Sequence, residues 1–130
     1  MPKVHAAVRS FIKQRPQTVC MTHLSHAYPQ GGNLYFIFIA RMERIDEYLN
    51  LQYGILEAIA QSGAAVSHHH GVGKQTGPWL EEQIGTPCMD VIRALKQHFD
   101  PHNICNPGGT LGLDMNAEQA AKRWGMREED

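Results

Sequence analysis

The stretch Thr18–Ala40, TVCMTHLSHAYPQGGNLYFIFIA, decides the fold. Its first half, Thr18 to Tyr28, mixes β-branched, apolar and polar residues, and its second half, Asn33 to Ala40, is built almost wholly of strong strand formers. Between them stands Pro29-Gln30-Gly31-Gly32, a run rich in turn residues, so the stretch reads as an antiparallel hairpin. NLYFIFIA is apolar at both alternating sets of positions, which predicts a central strand covered on both faces.

Helical periodicity flanks the hairpin on both sides. Val4, Val8, Phe11 and Ile12 recur at three to four residues, and Pro16 disfavours helical geometry at the residue before it, so a helix is expected over about 3–15. Ile45, Leu49, Tyr53, Leu56 and Ala60 predict a second helix over about 43–62, closed by Ser62-Gly63. Ala64 to Ser67 reads as a short strand, and Gly71 to Gly77 as a loop. Pro78 opens a brief helical turn through Glu82. Thr86 and Pro87 form an N-cap and first-position pair for a helix bearing Val91, Ile92, Leu95 and Phe99, and it stops at Asp100-Pro101. Asn116-x-x-Gln119 has the form of a capping box for a last short helix in a tail over 111–130. The order α, β, β, α, β, α is that of a ferredoxin-like βαββαβ unit without its first strand. The expected class is therefore α+β, an incomplete ferredoxin-like antiparallel sheet with helices packed on one face.

Composition narrows the function. The 130 residues suit one hydrophobic core, with 42% apolar and 19% charged residues. Twelve Lys and Arg against thirteen Asp and Glu give a net charge of −1, too balanced for the footprint of a general nucleic-acid binder. The longest apolar run, Leu34 to Ala40, is far short of the roughly 20 residues a membrane-spanning helix needs. The N-terminus lacks the continuous apolar segment of a secretory signal. Three cysteines, odd in number and without a CxxC pair, speak against a disulfide framework, and a reducing cytoplasm is the expected home.

Eight histidines is a high count, and three are consecutive in Ser67-His68-His69-His70-Gly71-Val72-Gly73-Lys74. On an extended strand His68 and His70 share one face and His69 takes the other, unless the backbone turns. Three readings stay open for the cluster. The imidazoles cap backbone groups at a loop, or they ligate a metal, or with Lys74 they gather round a phosphate or carboxylate and move protons. Tyr28, at the end of the first strand, shares a strand face with His26, and His23 lies on the other. Its phenol serves as an acid or base only where the fold brings it to the histidines.

SHHHGVGK at 67–74, YPQGGNLYFIF at 28–38 and FDPHNICNPGG at 99–109 resemble the C-terminal portion of flavin-linked oxidases of the vanillyl-alcohol-oxidase superfamily. Within that group the resemblance is greatest to the alkyldihydroxyacetonephosphate-synthase branch, and it covers about residues 1–110. It implies the substrate-binding, or cap, portion of an FAD-dependent enzyme, with the FAD-binding domain outside this chain and no activity in the chain alone. It implies Tyr28, His69 and His70 as proton-transfer groups, His68 and Lys74 as binders of a phosphate or carboxylate substrate, and Asn106 as a contact to the flavin edge. Related 2-hydroxy-acid dehydrogenases carry HxGDGNLH and GEHG, whose two histidines and glutamate bind a divalent metal. Tyr28, Tyr35 and His69 fall at those positions here, so no metal is expected. The alternatives are a 2-hydroxy-acid dehydrogenase of the same architecture and a stand-alone ferredoxin-like ligand-binding module. An unpaired strand edge and an uncovered face on NLYFIFIA also lead us to expect a homodimer.

Overall fold

The structure, a computed structural model, describes residues 1–109. The expected helix at Asn116-x-x-Gln119 and the 111–130 tail lie outside the described residues. The chain forms two compact units, Met1–His68 and a second beginning at His69. In the first, helix α1 (Pro2–Gln14) leads into strand β1 (Thr18–Tyr28), strand β2 (Gly31–Ala40) and helix α2 (Ile45–Gln61). The second holds a 3-10 turn (Gly77–Trp79) and helices α3 (Leu80–Ile84) and α4 (Thr86–Phe99). The class is α+β with a two-stranded antiparallel sheet.

The core lies in the first unit and follows from the two periodicities. Val8 and Ile12 of α1 and Leu51 and Ile55 of α2 are buried together, and Phe11, Cys20, Phe36 and Phe38 pack against them. In the ladder Cys20 faces Phe38 and Thr22 faces Phe36, so this set of alternating positions is the face under the helices. The other set pairs Val19 with Ile39 and Met21 with Ile37, and each of these four side chains is half or more exposed.

Two expectations need correction. Ala64–Ser67 forms no strand among the described residues: it passes from the Gly63 turn (φ +78°) into bends, and the sheet remains β1-β2. Four residues with no neighbouring strand to supply ladder partners gain nothing from extended pairing. NLYFIFIA is accordingly not a central strand covered on both sides: its Phe side is under the helices and its Ile side is open. The helices stand close to the expected limits. Thr86 lies just inside α4, whose cap position is Gly85.

Gly54 of α2 leaves room for the ring of Phe11 from α1. A Cβ there would run into the ring of Phe11, its Cζ first. Alanine is favoured over glycine in a helix by about 1 kcal/mol, yet Gly54→Ala is expected to lower stability by roughly 1–3 kcal/mol because the ring has to leave its place. Denaturant unfolding of Gly54→Ala beside the same change in a Phe11→Leu background checks this, with the cost shrinking in the second.

Candidate functional site

The hairpin carries a bulge at its functional end. The ladder pairs Ser25 with Asn33 and Ala27 with Gly32, so His26 is the extra residue, and its φ of +47° lies in the left-handed region that a non-glycine residue seldom adopts. The extra residue shifts the alternation by one. Tyr28 therefore falls on the open face with His23 and Tyr35, contrary to the expectation that it stands opposite His23.

The bulge builds a cluster of rings. Tyr35 lies across the ladder from His23, with ring centroids 6.2 Å apart. His26 stands 6.4 Å from Tyr28, 6.4 Å from Tyr35 and 5.5 Å from His68. His68 is 6.4 Å from Tyr28 and 6.0 Å from Tyr35. Ser25 Oγ and His26 Nδ1 are hydrogen-bonded at 2.9 Å. Tyr28 thus meets His68 at the end of the first unit, although the segment leading to His68 is not a strand. Sequence reasoning did not assign His26 and Tyr35 to this site, since a bulge has no signature in this hairpin beyond the odd count of residues.

Beside the cluster is a cleft of about 520 Å³, with Val4, Phe36 and Ile59 among its apolar walls and Tyr28, Asn33 and His68 among its polar ones. Gly32 lines it too, where a Cβ would sit 3.1 Å from Met1 Sδ and 3.2 Å from Leu24 Cδ1. Asn33 Nδ2 is buried and has no hydrogen-bond partner. A buried amide donor left in that state is costly. Asn33 is a further site residue that the sequence did not single out, because a polar residue opening a strand is ordinary.

In the second unit His69 and His70 are exposed, with their rings edge to face at 4.6 Å. Bends at 68–70 and a left-handed Gly71 (φ +81°) replace the extended strand on which alternation of the histidines rested. Among the described residues, the triplet His68, His69 and His70 is the group of metal-ligating type that gathers, and all three are exposed. Lys74 and Asn106 come together at Gly109, where a Cβ would lie 2.5 Å from Asn106 Oδ1 and 2.7 Å from Lys74 Cε.

The loop that presents Asn106 is shaped by Asp100. Its carboxylate accepts from the backbone N–H groups of Ile104 and Cys105, both at 2.8 Å, and from Lys96 Nζ, which also donates to the Cys105 carbonyl at 2.9 Å. Asn103 (φ +51°), Asn106 (φ +50°) and Gly108 (φ +64°) supply the left-handed turns, a conformation that Asn and Gly tolerate. The Lys96 ammonium foremost, then the Ile104 and Cys105 N–H groups, hold the Asp100 carboxyl down at about 2. The amide of Asn106 carries both a donor and an acceptor, and the Lys74 chain reaches the same point at Gly109.

The family model for FAD linked oxidases, C-terminal domain, matches residues 1–110, and the chain belongs to that family. It is 36% identical to alkyldihydroxyacetonephosphate synthase of Dictyostelium discoideum over 95 residues, which are 71% of this chain and 15% of that protein. To the synthase of that name from Trypanosoma brucei brucei it is 32% identical over 109 residues, 82% of this chain and 18% of the relative. Glycolate oxidase subunit GlcD of Bacillus subtilis (strain 168) is 34% identical over 82 residues, 63% of this chain and 17% of the relative. The chain thus spans less than a fifth of the length of these relatives. No solved structure matches it significantly.

A depressed carboxyl stabilises the fold at pH above its unfolded value of about 3.9, and that stabilisation is lost as pH falls toward the folded value. The Ile104 and Cys105 amide resonances are therefore expected to titrate together with a midpoint of about 2, the value set for Asp100. Asp100→Asn should abolish that titration and disturb the Asn106 and Gly109 resonances at neutral pH.

Proposed function

We propose that this chain is the substrate-binding, or cap, portion of an FAD-dependent enzyme that acts on a small phosphate or carboxylate ester in the manner of an alkyldihydroxyacetonephosphate synthase. The observation that carries the reading is the meeting of Tyr28 with His68 beside a cleft of mixed apolar and polar lining, Asn33 with its buried, unpartnered amide among its residues. An ester with an apolar chain and an anionic head suits such a mixed lining. The match to alkyldihydroxyacetonephosphate synthases over 71% and 82% of the chain supports the same substrate class.

FAD, when bound, supplies the redox-active ring, and most of its binding falls to a flavin domain outside this chain. The chain alone is inactive in this reading. Asn106 hydrogen-bonds the flavin edge. Tyr28, His69 and His70 move the proton at the leaving and entering oxygens, and His68 and Lys74 hold the phosphate or carboxylate, as hydrogen-bond donors positioned where negative charge develops. No metal takes part: phenols stand at Tyr28 and Tyr35, and three exposed imidazoles without a carboxylate make a weak set for a hard ion. The sheet is completed to a ferredoxin-like arrangement by strands of the whole protein, and the three free thiols suit a reducing, cytoplasmic setting. No helix among the described residues is long and apolar enough to cross a membrane.

A second reading keeps the architecture and assigns it to a 2-hydroxy-acid dehydrogenase, favoured by the 34% identity to the glycolate oxidase subunit. Product analysis with the chain joined to a flavin domain separates the two. In that fusion Tyr28→Phe, His69→Ala and His70→Ala are each expected to lower turnover per bound flavin by roughly 100-fold or more, with flavin content and melting temperature little changed. Unaltered turnover in all three would remove these residues from the chemistry.

Without its flavin domain the open sheet face, with Val19, Met21, Ile37 and Ile39 exposed, drives the chain to a homodimer. Light scattering should show the dimer, and Ile37→Lys with Ile39→Lys should return it to a monomer. A monodisperse wild-type monomer at high concentration would count against self-association through this face.

A further inference from the structure

Helix α4 turns an apolar stripe outward. At the helical period Cys88, Val91, Leu95 and Phe99 fall along one side, while Met89, Ile92, Arg93 and Lys96 occupy the more buried side. Val91 is 60% exposed, Leu95 53% and Phe99 78%. Ile104, 75% exposed, extends the patch beside the helix end, where its N–H donates to Asp100. A run of large apolar side chains along one side of a helix, unlike single exposed ones, marks a surface that takes a partner.

The chain itself carries a segment of matching form. Residues 111–126, LGLDMNAEQAAKRWGM, lie beyond the family match, which stops at residue 110. After the Asn116 cap, Ala117, Ala120, Ala121 and Trp124 recur at helical spacing, with Glu118, Gln119, Lys122 and Arg123 between them. One side of such a helix is small residues and a tryptophan, and the other is polar.

We propose that residues 111–126 fold back along α4 and cover its stripe, with the helix at 117–124 antiparallel to α4. The path of the chain favours this. Lys96 Nζ donates to the Cys105 carbonyl, so by Cys105 the chain has already turned back beside α4. From there Leu111 can lie up to about 20 Å away, and the 14 residues of α4 span about 21 Å. The sizes are complementary: Ala117 meets Phe99, Ala120 and Ala121 meet Leu95, and Trp124 covers Val91. The same direction brings Lys122 and Arg123 toward the exposed Asp90 carboxylate. A tethered segment meets the stripe at an effective concentration that is roughly millimolar, which favours it over a second copy. None of this depends on the catalytic reading of the first unit.

The test uses the full 130-residue chain. Nuclear Overhauser contacts are expected from the Trp124 indole ring to the Val91 and Leu95 methyl groups, and in a mixture of isotope-labelled and unlabelled chains they stay within one chain. Leu95 is exposed, so Leu95→Glu leaves the fold intact. It should abolish those contacts and speed alkylation of Cys88 by iodoacetamide about tenfold or more, the equivalent of losing one buried leucine. Trp124→Ala should speed the alkylation likewise. Contacts that cross between copies overturn the proposal and give the stripe to a second chain. Absent contacts, with Cys88 equally reactive in wild type, Leu95→Glu and Trp124→Ala, overturn it too and leave the stripe open to a separate domain.

Discussion

A two-stranded antiparallel ribbon has two faces, and α1 and α2 can cover only one. That constraint governs the first unit of this protein. Cys20, Phe36 and Phe38 go under the helices with Val8, Ile12, Leu51 and Ile55, and the opposite set of side chains is left for whatever else the molecule meets. Along that open face the chemistry changes from aliphatic, at Val19, Met21, Ile37 and Ile39, to phenol and imidazole, at His23, Tyr35 and Tyr28. The open face thus has an aliphatic half and a half of phenol and imidazole side chains.

The bulge at His26 is the device that makes the polar half coherent. Had the ladder run without it, Tyr28 would stand on the helix side with Leu24 and Thr22, away from His23 and Tyr35. One inserted residue returns the phenol to the open face and places an additional imidazole between it and His68. The local strain is modest in energy, on the order of 1–3 kcal/mol for such a backbone. A hairpin of ten paired positions can sustain it.

The second unit achieves order by different means. Among its described residues the buried hydrophobic side chains are Trp79 and Met89, and polar ties join its elements. Arg93 joins α4 to Glu81 of α3 and to Asp90, and Lys96 with Asp100 ties the end of α4 to the following loop. Exposed ion pairs contribute little singly. The Asp100 group differs because one carboxylate collects an ammonium and two backbone N–H donors, and so dictates the path of the chain up to Asn106.

Hydrophobic periodicity and turn chemistry are local properties, and what depends on them was legible in the sequence: α1, the hairpin, α2, and α4 with its stop at Asp100-Pro101. The motifs at 28–38, 67–74 and 99–109 were likewise enough to indicate the family, because they are strings of residues whose order survives without coordinates. Three things were decided only by the tertiary structure. Whether NLYFIFIA is covered on one face or two depends on how many elements surround it, and an apolar run reads the same either way. Whether Ala64–Ser67 is a strand depends on a partner to pair with, which no property of four residues supplies. Which face Tyr28 occupies depends on a single residue's insertion into the ladder. Because strand side chains alternate with a period of two, that one residue moves the phenol from the helix side of the sheet to the histidines.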